Sequence, residues 1–343
     1  MIKCPIIGVV IVSYGHEKVL LQQVNQLRSQ MRNNDKIVVV DNHLNKKGYN
    51  NVVNNKSVDY AIKSANNGFS AGCNIGAAKL AQSVDILLFL NPDTLPSKNM
   101  IDVIRSADYL YYAAVMPLLI LPDKTVNCAG NIVHTSGLSW CGGYGKQMTN
   151  YTTDQEVSVL SGACMAVNIN WWKKIGGMPE SYFMYYEDTD FCTRITLQGG
   201  KMGLLADAFV KHDYEYEKGD HKWLYLERNR PLYIIRTWPN SVIAVLFIQL
   251  FFVEIGLWII AIIQKRLKLK LKSASLMIKS LPAALQDRRN IQKNRTISGY
   301  DFMKTLTFKL DSPLLGGVDN NYFINFIFSI YYKVCLFILK PFN

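Results

Sequence analysis

The sequence lacks the cysteine arrangements that hold a zinc ion or a disulfide framework. Its 343 residues include seven cysteines, but none forms a Cys-x-x-Cys pair or stands at a zinc-ligand spacing from a histidine. We therefore expect neither a zinc site nor a disulfide framework. Scattered cysteines of this kind are typical of reduced thiols, and they predict a cytosolic compartment.

Two common phosphate-binding fingerprints are also missing. Gly68, Gly72 and Gly76 recur every four residues, but no Gly-Lys-Ser/Thr follows them and the G-x-G-x-x-G spacing is absent. A P-loop and a dinucleotide fingerprint are thus excluded. On a helix the three glycines would form one bare face, which suits either tight packing on a sheet or the approach of a ligand backbone.

Acidic residues are scarce in the last third of the chain. Residues 264–310 contain twelve lysines and arginines but only two acidic residues, and they lie between two apolar runs, Ser241–Ile263 and Tyr322–Phe342. This pattern is typical of an anionic membrane surface rather than a nucleic-acid groove, so we expect membrane lipid and no nucleic acid as a partner. The first run is long enough to span a bilayer, although Glu254 also suits a helix in the interface. A buried helical hairpin is the alternative.

Strand and helix signals alternate in the first half of the chain. Apolar runs at residues 6–13, 36–40 and 85–90 alternate with helical spacing at 16–31 and with a small-residue helix at 70–82. This alternation predicts an α/β fold with a mostly parallel sheet flanked by helices.

The domain organisation follows from changes in composition. We interpret Pro5–Val12 as a core strand and not as a signal peptide, because it is short and no cleavage site follows it. A boundary near Arg236 is expected to divide an α/β domain, residues 1–236, from a helical, basic and membrane-associating tail, residues 237–343.

Polar side chains follow three predicted strands at the point where each strand ends. Ser13 and Asp41 end the first two strands, and the sequence Asn91-Pro92-Asp93 ends the apolar run at residues 85–90. The carboxyl ends of parallel strands form the ligand crevice of open α/β sheets, so we expect these side chains along one edge. There Asp93 would hold a divalent cation shared with a diphosphate, although a plain Pro-Asp turn is the alternative.

An aromatic cluster at residues 182–186 runs directly into three carboxylates, Glu187, Asp188 and Asp190. Acidic residues suit the first turn of a helix, and Asp190 has the spacing of an ion pair with Arg194. Aromatic rings beside a carboxylate also suit a sugar site with a general base, because an apolar surround raises carboxylate basicity.

A histidine follows the next predicted strand. His212 ends the sequence Val210-Lys211-His212, after the run that begins at Lys201. It is either a structural histidine or a ligand of a metal or diphosphate.

In this order, the motifs resemble those of inverting family 2 glycosyltransferases, and most of all the bacterial rhamnosyltransferase-like enzymes of O-antigen and capsule assembly. The resemblance covers roughly residues 6–236. It is carried by Ser13-Tyr14, Asp41-Asn42, Asn67-Gly68-Phe69, Gly72-x-Asn74-x-Gly76, Leu90-Asn91-Pro92-Asp93, Ser161-Gly162-Ala163, Glu187-Asp188-x-Asp190 with Arg194, and His212.

The resemblance implies a GT-A fold and a nucleotide-diphosphate-sugar donor. Asp93 would hold Mg²⁺ or Mn²⁺, and His212 becomes a second metal ligand because Asn91 stands where related enzymes carry a first aspartate. Asp188 would be the catalytic base, with Glu187 as the neighbouring catalytic carboxylate. The implied donor-binding residues are Ser13, Tyr14, Asp41, Asn67, Gly68, Asn74, Asn91 and Arg194.

By the same resemblance, the enzyme would transfer one sugar, with rhamnose favoured, from dTDP-rhamnose or a similar donor. The acceptor would be a hydroxyl of an oligosaccharide on a polyprenyl diphosphate. The location would be the cytoplasmic face of the bacterial inner membrane, with a peripheral or monotopic tail or one or two membrane helices. Two alternatives stay open: a synthase that glycosylates a polyprenyl phosphate, and a non-catalytic, membrane-docked protein that binds sugar nucleotides.

Overall fold

The computed structural model places strands where the apolar runs of the sequence predict them. It describes residues 4–15, 17–43, 45–212, 219–315 and 321–342. Within these residues the strands are β1 (Ile7–Ser13), β2 (Lys36–Asp41), β3 (Tyr60–Lys63), β4 (Ile86–Leu90), β5 (Thr94–Pro96), β6 (Tyr112–Ile120), β7 (Val126–Cys128), β8 (Asn131–Val133), β9 (Ser139–Cys141), β10 (Gln155–Glu156), β11 (Cys164–Asn168) and β12 (Lys201–His212).

Helices follow most of the early strands and make up the last third of the described chain. They are α1 (Glu17–Arg28), α2 (Lys46–Val53), α3 (Phe69–Leu80), α4 (Met100–Ser106), α5 (Ile169–Ile175), α6 (Glu187–Leu197), α7 (Gly219–Thr237), α8 (Asn240–Ile263), α9 (Leu267–Lys293), α10 (Gly299–Lys304) and α11 (Tyr322–Leu339). Short 3₁₀ turns occupy Met148–Asn150, Glu180–Tyr182, Pro313–Leu315 and Lys340–Phe342.

Most strands join one sheet, in the order β10-β12-β6-β11-β4-β1-β2-β3, with β5 on β12 and β7 on β6. Strand β1 pairs in parallel with β2 and β4, and β12 runs parallel to β6. Strand β11 is antiparallel to both β4 and β6, so it joins two parallel blocks. The predicted α/β fold with a mostly parallel sheet is therefore confirmed.

The centre of the sheet is covered on both faces. Every residue of β1 and of β4 is buried, which is why both strands read in the sequence as continuous apolar runs instead of alternating ones. The end of each run is where polar side chains first appear, and this places the chemistry at the edge of the sheet rather than in its middle.

The bare face of α3 packs on β1. A Cβ added at Gly72 would lie 2.6 Å from Val12 Cγ1, and one at Gly76 would lie 2.4 Å from Val10 Cγ1. Real Cβ atoms do not approach other atoms so closely, so these glycines allow the helix to lie directly against the strand. Of the two interpretations of the glycine spacing, tight packing accounts for Gly72 and Gly76.

The chain divides into two compact units. One unit comprises Met1–Asn131, Cys141–Ile195 and Gly200–Glu215, and it contains the large sheet. The other comprises Ile132–Trp140, Thr196–Gly199 and Tyr216–Asn343, and it contains helices α7 to α11. Arg236 lies within α7 and so within this second unit. The division by function near that residue stays a prediction.

Two helices of the second unit are mostly apolar. Both α8 and α11 are long and apolar enough to cross a membrane, and only a minor part of each is buried. Glu254, the one charged residue of α8, forms ion pairs with Arg230 of α7 and with Lys270 of α9. The acidic side chain in the middle of this run is therefore satisfied by partners within its own unit.

Candidate active site

The carboxyl ends of β1 and β2 form the first part of the site. Ser13 and Asp41 are register partners in the parallel ladder, and the Asn42 N–H donates to the Ser13 carbonyl at 2.9 Å. The buried Ser13 hydroxyl has no hydrogen-bond partner among the described residues. Asp41 accepts a hydrogen bond from the His43 N–H at 2.8 Å. The Ser13 hydroxyl at this strand edge is therefore suited to bind a polar ligand, because burial without a partner is costly.

An exposed ring pair lies directly beyond these residues. Tyr14, which is 52% exposed, stacks on His43 with 4.8 Å between the ring centroids. Flat rings at a sheet edge offer a surface on which a nucleobase or a sugar ring can stack.

A main-chain contact joins the start of α3 to the aromatic segment before α6. The Phe69 N–H donates to the Phe183 carbonyl at 2.8 Å, and a Cβ at Gly68 would lie 2.2 Å from that carbonyl oxygen. Gly68 also has a φ of 96°, a conformation that other residues rarely adopt. Glycine is therefore required here by both space and backbone geometry. Asn67 beside it is exposed, with its N–H bonded to the Ala65 carbonyl at 2.8 Å.

The backbone is strained immediately before the acidic cluster. Phe183, Tyr185 and Tyr186 have φ values of 66°, 65° and 71°, in the left-handed region that disfavours bulky side chains. Strain of this kind persists only where the surrounding structure imposes it, and it concentrates at functional sites. This observation motivates a functional role for the carboxylates that follow.

Asp188 is held by donors on three sides. Its Oδ2 accepts from the Gly162 N–H at 2.9 Å and from Asn131 Nδ2 at 3.3 Å, and its Oδ1 accepts from the Thr189 N–H at 2.6 Å. Burial raises the pKa of Asp188, and the N–H groups of Gly162 and Thr189 oppose that rise. The result is a carboxylate with a fixed orientation and with more basicity than an exposed aspartate has, which is what a general base requires.

Glu187 differs from Asp188 in its surroundings. It is buried, and its Oε2 has no hydrogen-bond partner among the described residues. Burial, and then the neighbouring Asp188 charge, raise the pKa of Glu187 well above its ordinary value. Since several donors stabilise the charge on Asp188, whereas only its own backbone N–H does so for Glu187, we assign the shared proton of this pair to Glu187.

This raised pKa predicts a pH-dependent stability. The folded protein keeps the Glu187 proton to a higher pH than the unfolded chain, so the free energy of unfolding falls as pH rises above the ordinary glutamate pKa of 4.5 towards the raised value. Glu187→Gln removes this titration. We expect its melting temperature to exceed that of the wild type by a margin that grows across this pH window. The margin should be roughly 2–4 °C for each kcal/mol of difference in the free energy of unfolding.

The check is a series of thermal melts at increasing pH, with Asp102→Asn as control because Asp102 is an exposed carboxylate in the same unit. The control should follow the wild type. A Glu187→Gln margin that stays constant or shrinks with pH would contradict the assignment.

Asp93 and His212 lie side by side after β4 and at the end of β12. His212 is the register partner of Thr94 in the β12–β5 ladder, which brings its Nε2 to 3.6 Å from Asp93 Oδ1. His212 Nδ1 lies 3.2 Å from Asn127 Oδ1; in the tautomer whose Nδ1–H donates there, the Nε2 lone pair lies on the side of Asp93. Metal-binding histidines are commonly oriented in this way, and two acceptor atoms facing each other suit a cation between them.

The residues present thus fit a divalent cation. Within the described residues no group of three or more His, Cys, Asp or Glu side chains is placed to hold a metal. Asp93 and His212 would therefore supply two protein ligands and leave the other positions to ligand or water oxygens, as is common for Mg²⁺.

Backbone contacts link the end of β4, just before Asp93, to Asp188. The Asn91 N–H donates to the Ala163 carbonyl at 2.9 Å, and the next residue back, Gly162, donates to Asp188. The turn after Asn91 is itself fixed by Gln23, whose buried Nε2 donates to the carbonyls of Asn91 and Thr94 at 2.6 and 2.8 Å. The structure therefore brings Asn91 and Asp188 to the same edge of the sheet.

Two predicted donor-binding side chains are engaged elsewhere. Asn74 donates to the Met178 carbonyl at 2.9 Å and to Glu180 Oε1 at 2.8 Å. The buried Arg194 donates to Asp190 at 2.7 Å and to the carbonyls of Ile175 and Gly177. These contacts position the segment before the acidic cluster and account for both side chains, so direct contact with a donor stays a prediction for each.

Part of the aromatic cluster at residues 182–186 is buried. Tyr182 is completely buried and donates its hydroxyl to Asp190 at 2.9 Å, and Tyr186 is also buried. These two rings belong to the core, whereas Phe183 and Tyr185 are half-buried.

Sequence reasoning missed three residues that support the site: Asn131 at Asp188, Asn127 at His212, and Gln23 under the turn after β4. Both asparagines lie in the stretch from Asp123 to Asp154, which is rich in Gly, Asn, Ser and Thr. No spacing in this stretch singles out either asparagine, so no sequence signal marks them.

Comparison with known proteins identifies the class that this fold and site define. Residues 5–230 match the model of the glycosyltransferase-like family 2, and the chain belongs to this family. The predicted family and the predicted enzyme class, a glycosyltransferase, are therefore confirmed.

Relatives and solved structures agree with this assignment. The chain is 25% identical over 239 residues to the low-salt glycan biosynthesis hexosyltransferase Agl10 of Haloferax volcanii, which covers 65% of this chain and 74% of the relative. It is 25% identical over 224 residues to the rhamnosyltransferase WbbL of Escherichia coli K12, and this alignment covers 60% of this chain and 84% of the relative. The fold is similar to GalNAc-T7 solved with UDP, GalNAc and Mn²⁺, with a TM-score of 0.56 and 16% identity over 71% of this chain. The chain spans about half the length of that structure, 51%.

Proposed function

We propose that the protein is an inverting, metal-assisted glycosyltransferase that moves one sugar from a nucleotide-diphosphate donor to an acceptor hydroxyl. The observation that carries this proposal is the Asp188 carboxylate, oriented by Gly162 and Asn131 at the sheet edge where β4 delivers Asp93. The membership of family 2 supplies the reaction class.

The donor would bind along the carboxyl ends of the strands. Ser13 and Asp41 would contact the nucleoside, with the Tyr14–His43 ring pair as a stacking surface. Gly68 and Asn67 at the start of α3, and Asn91 after β4, would adjoin the sugar diphosphate. Asn74 and Arg194 would act indirectly by holding the segment that precedes Glu187.

Asp93 and His212 would hold Mg²⁺ or Mn²⁺ next to the diphosphate. When bound, such an ion neutralises the charge that develops on the departing nucleotide diphosphate. The role of this chain is to fix the ligand atoms: Asn127 Oδ1 would accept the Nδ1 proton of the imidazole, and Gln23 holds the turn that carries Asp93.

Asp188 would accept the proton of the acceptor hydroxyl as that oxygen bonds to the anomeric carbon and the bond to the diphosphate oxygen breaks. One displacement inverts the anomeric centre, so no enzyme nucleophile is needed. Because Glu187 holds a proton, the pair presents one negative charge to the acceptor rather than two.

Rhamnose is the proposed sugar, from dTDP-rhamnose or a similar donor, because one relative is named a rhamnosyltransferase. The proposed acceptor is an oligosaccharide on a polyprenyl diphosphate at the cytoplasmic face of the bacterial inner membrane. The apolar helices α8 and α11 support the membrane part of this proposal.

A panel of nucleotide sugars offered to the purified full chain with Mg²⁺ or Mn²⁺ tests the donor assignment. We expect slow release of nucleotide diphosphate without acceptor, fastest with dTDP-rhamnose, because a positioned donor reacts with water at a low rate. Release should stop in excess chelator. Thermal stabilisation by a donor without any release would favour the non-catalytic alternative, and release only when polyprenyl phosphate is added would favour the synthase.

A further inference from the structure

Helix α8 has one face against its own unit along its whole length. The buried residues Val242, Leu246, Gln249 and Ala261 run from its first turn to its last. The Gln249 side chain donates to Thr135 Oγ1 at 2.7 Å, so this inward face is partly polar. The outward face carries large exposed side chains: Phe247, Ile248, Phe251, Phe252, Ile255, Ile259 and Ile263.

A neighbouring helix shows the same division. Helix α11 contacts α8 through the Tyr331 hydroxyl, which donates to the Val245 carbonyl at 2.7 Å, and through the buried Cys335. Its outward side chains include Tyr322, Phe323, Phe326, Ile330 and Phe337, all at least half exposed. Two adjoining helices therefore present aromatic and aliphatic side chains that nothing within the described residues of this unit covers.

Helix α9, which contacts α8 on another side, adds cations. Its exposed apolar residues Leu267, Leu271, Ile278 and Leu285 are spaced by four and seven residues and so share one face. The exposed cations beside this stripe are Lys268, Lys272, Lys279 and Arg289. Asp287, the one acidic residue of α9, is paired with Arg236 at 3.0 Å. The free charge of this face is thus of one sign.

We infer that α8, α9 and α11 form a surface that lies flat on an anionic phospholipid bilayer, with α8 in the interface rather than across it. A second copy of the chain is a poorer occupant, because it would bring the same cations against these. The inference rests on the membrane location in the proposed function and adds the partner and the orientation of the helices.

The ion pairs of Glu254 argue against a crossing by α8. Halfway along this helix, Glu254 is paired with Arg230 of α7 and, at 2.9 Å, with Lys270 of α9. If α8 crossed the bilayer, these partners and the exposed Lys268 and Lys272 beside them would enter the hydrocarbon, where each charge is costly. A helix in the interface keeps the charges in the headgroup region and buries only the outward apolar face.

Vesicle sedimentation of the purified full chain tests the partner. We expect binding to vesicles of equimolar phosphatidylcholine and phosphatidylglycerol that is stronger than binding to phosphatidylcholine alone and weakens in high salt. The triple variant K268A/K272A/K279A should lower the partition coefficient at least about tenfold. The matched control K47A/K56A/K98A removes the same charge from exposed sites of the other unit and should bind as the wild type does.

The orientation of α8 is tested by labelling its ends. Asn240 and Gln264 are exposed and flank the apolar run, so each is replaced singly by cysteine in a Cys4→Ser background. In sealed inside-out membrane vesicles, an impermeant maleimide should label both positions, and in right-side-out vesicles it should label neither. Labelling of the two ends from opposite sides would overturn the inference.

Two further outcomes decide against it. Equal binding of the triple variant and the control to anionic vesicles would remove the role of the cations. Concentration-dependent dimerisation without vesicle binding would assign the surface to a second copy. Slow donor hydrolysis in solution does not depend on this surface and should be unchanged in the triple variant, so a failure here is distinguishable from a failure of the proposed reaction.

Discussion

Asp188→Asn lowers kcat for sugar transfer by at least about 10²-fold, because the variant removes the proton acceptor for the attacking hydroxyl. The asparagine Oδ1 can still accept hydrogen bonds from Gly162 and Asn131, so the fold and the donor affinity should be retained. The measurement is steady-state transfer together with donor binding by calorimetry. A loss in kcat with little change in donor affinity is the expected signature.

The control for this variant is Asp102→Asn, which removes an exposed carboxylate from α4 and should leave kcat unchanged. If Asp188→Asn is fully active and Glu187→Gln is inactive, the base is Glu187 and the proton assignment of the pair is reversed. If both variants are active, the acceptor is an already ionised phosphate, which needs no base, and the polyprenyl-phosphate synthase becomes the better description.

Asp93→Ala should raise the metal concentration needed for half-maximal activity by at least about tenfold, and the residual rate at saturating metal should fall as well. The carboxylate is one of two protein ligands placed at the proposed metal position, 3.6 Å from His212 Nε2. Removing it leaves the imidazole as the one protein ligand of the ion. Mutation of a residue that merely supports a metal ligand already lowers metal affinity by roughly 10–100-fold, so loss of a ligand itself should cost at least about tenfold.

Titration of Mn²⁺ against transfer rate, with binding of the metal followed separately by calorimetry in the presence of nucleotide diphosphate, provides the check. The control is Asp207→Asn, which removes an exposed carboxylate within β12. This variant should show the same Mn²⁺ dependence as the wild type. Unchanged metal dependence of Asp93→Ala would place the ion elsewhere and leave Asp93 as a turn residue.

The strand edge was predictable because local signals suffice for it. Buried strands read as apolar runs, and Pro92 ends its ladder, so the positions of Asp41 and Asp93 follow from periodicity and turn chemistry. The neighbour of Asp93 does not follow in this way. His212 reaches it through the β12–β5 ladder, whose register depends on the whole sheet.

The roles of polar side chains were harder to predict than their positions. Arg194 and Asn74 belong to motifs that the family uses at its site, but each is engaged by protein atoms that a motif does not reveal. The spacing of Asp190 and Arg194 did indicate an intrahelical ion pair, and the structure contains that pair at 2.7 Å. Glu254 reads as an isolated charge in an apolar run, because its partners Arg230 and Lys270 come from separate helices.

The main-chain bond from Phe69 to Phe183 has a consequence for how the two substrates influence each other. It joins the helix start assigned to the donor with the strained segment that leads to Asp188, the base proposed to act on the acceptor, and it contains no flexible side chain that could absorb a displacement. A shift imposed on one segment is therefore passed to the other. Thermodynamic reciprocity then requires that whatever the first substrate does to the affinity of the second, the second does equally to the first.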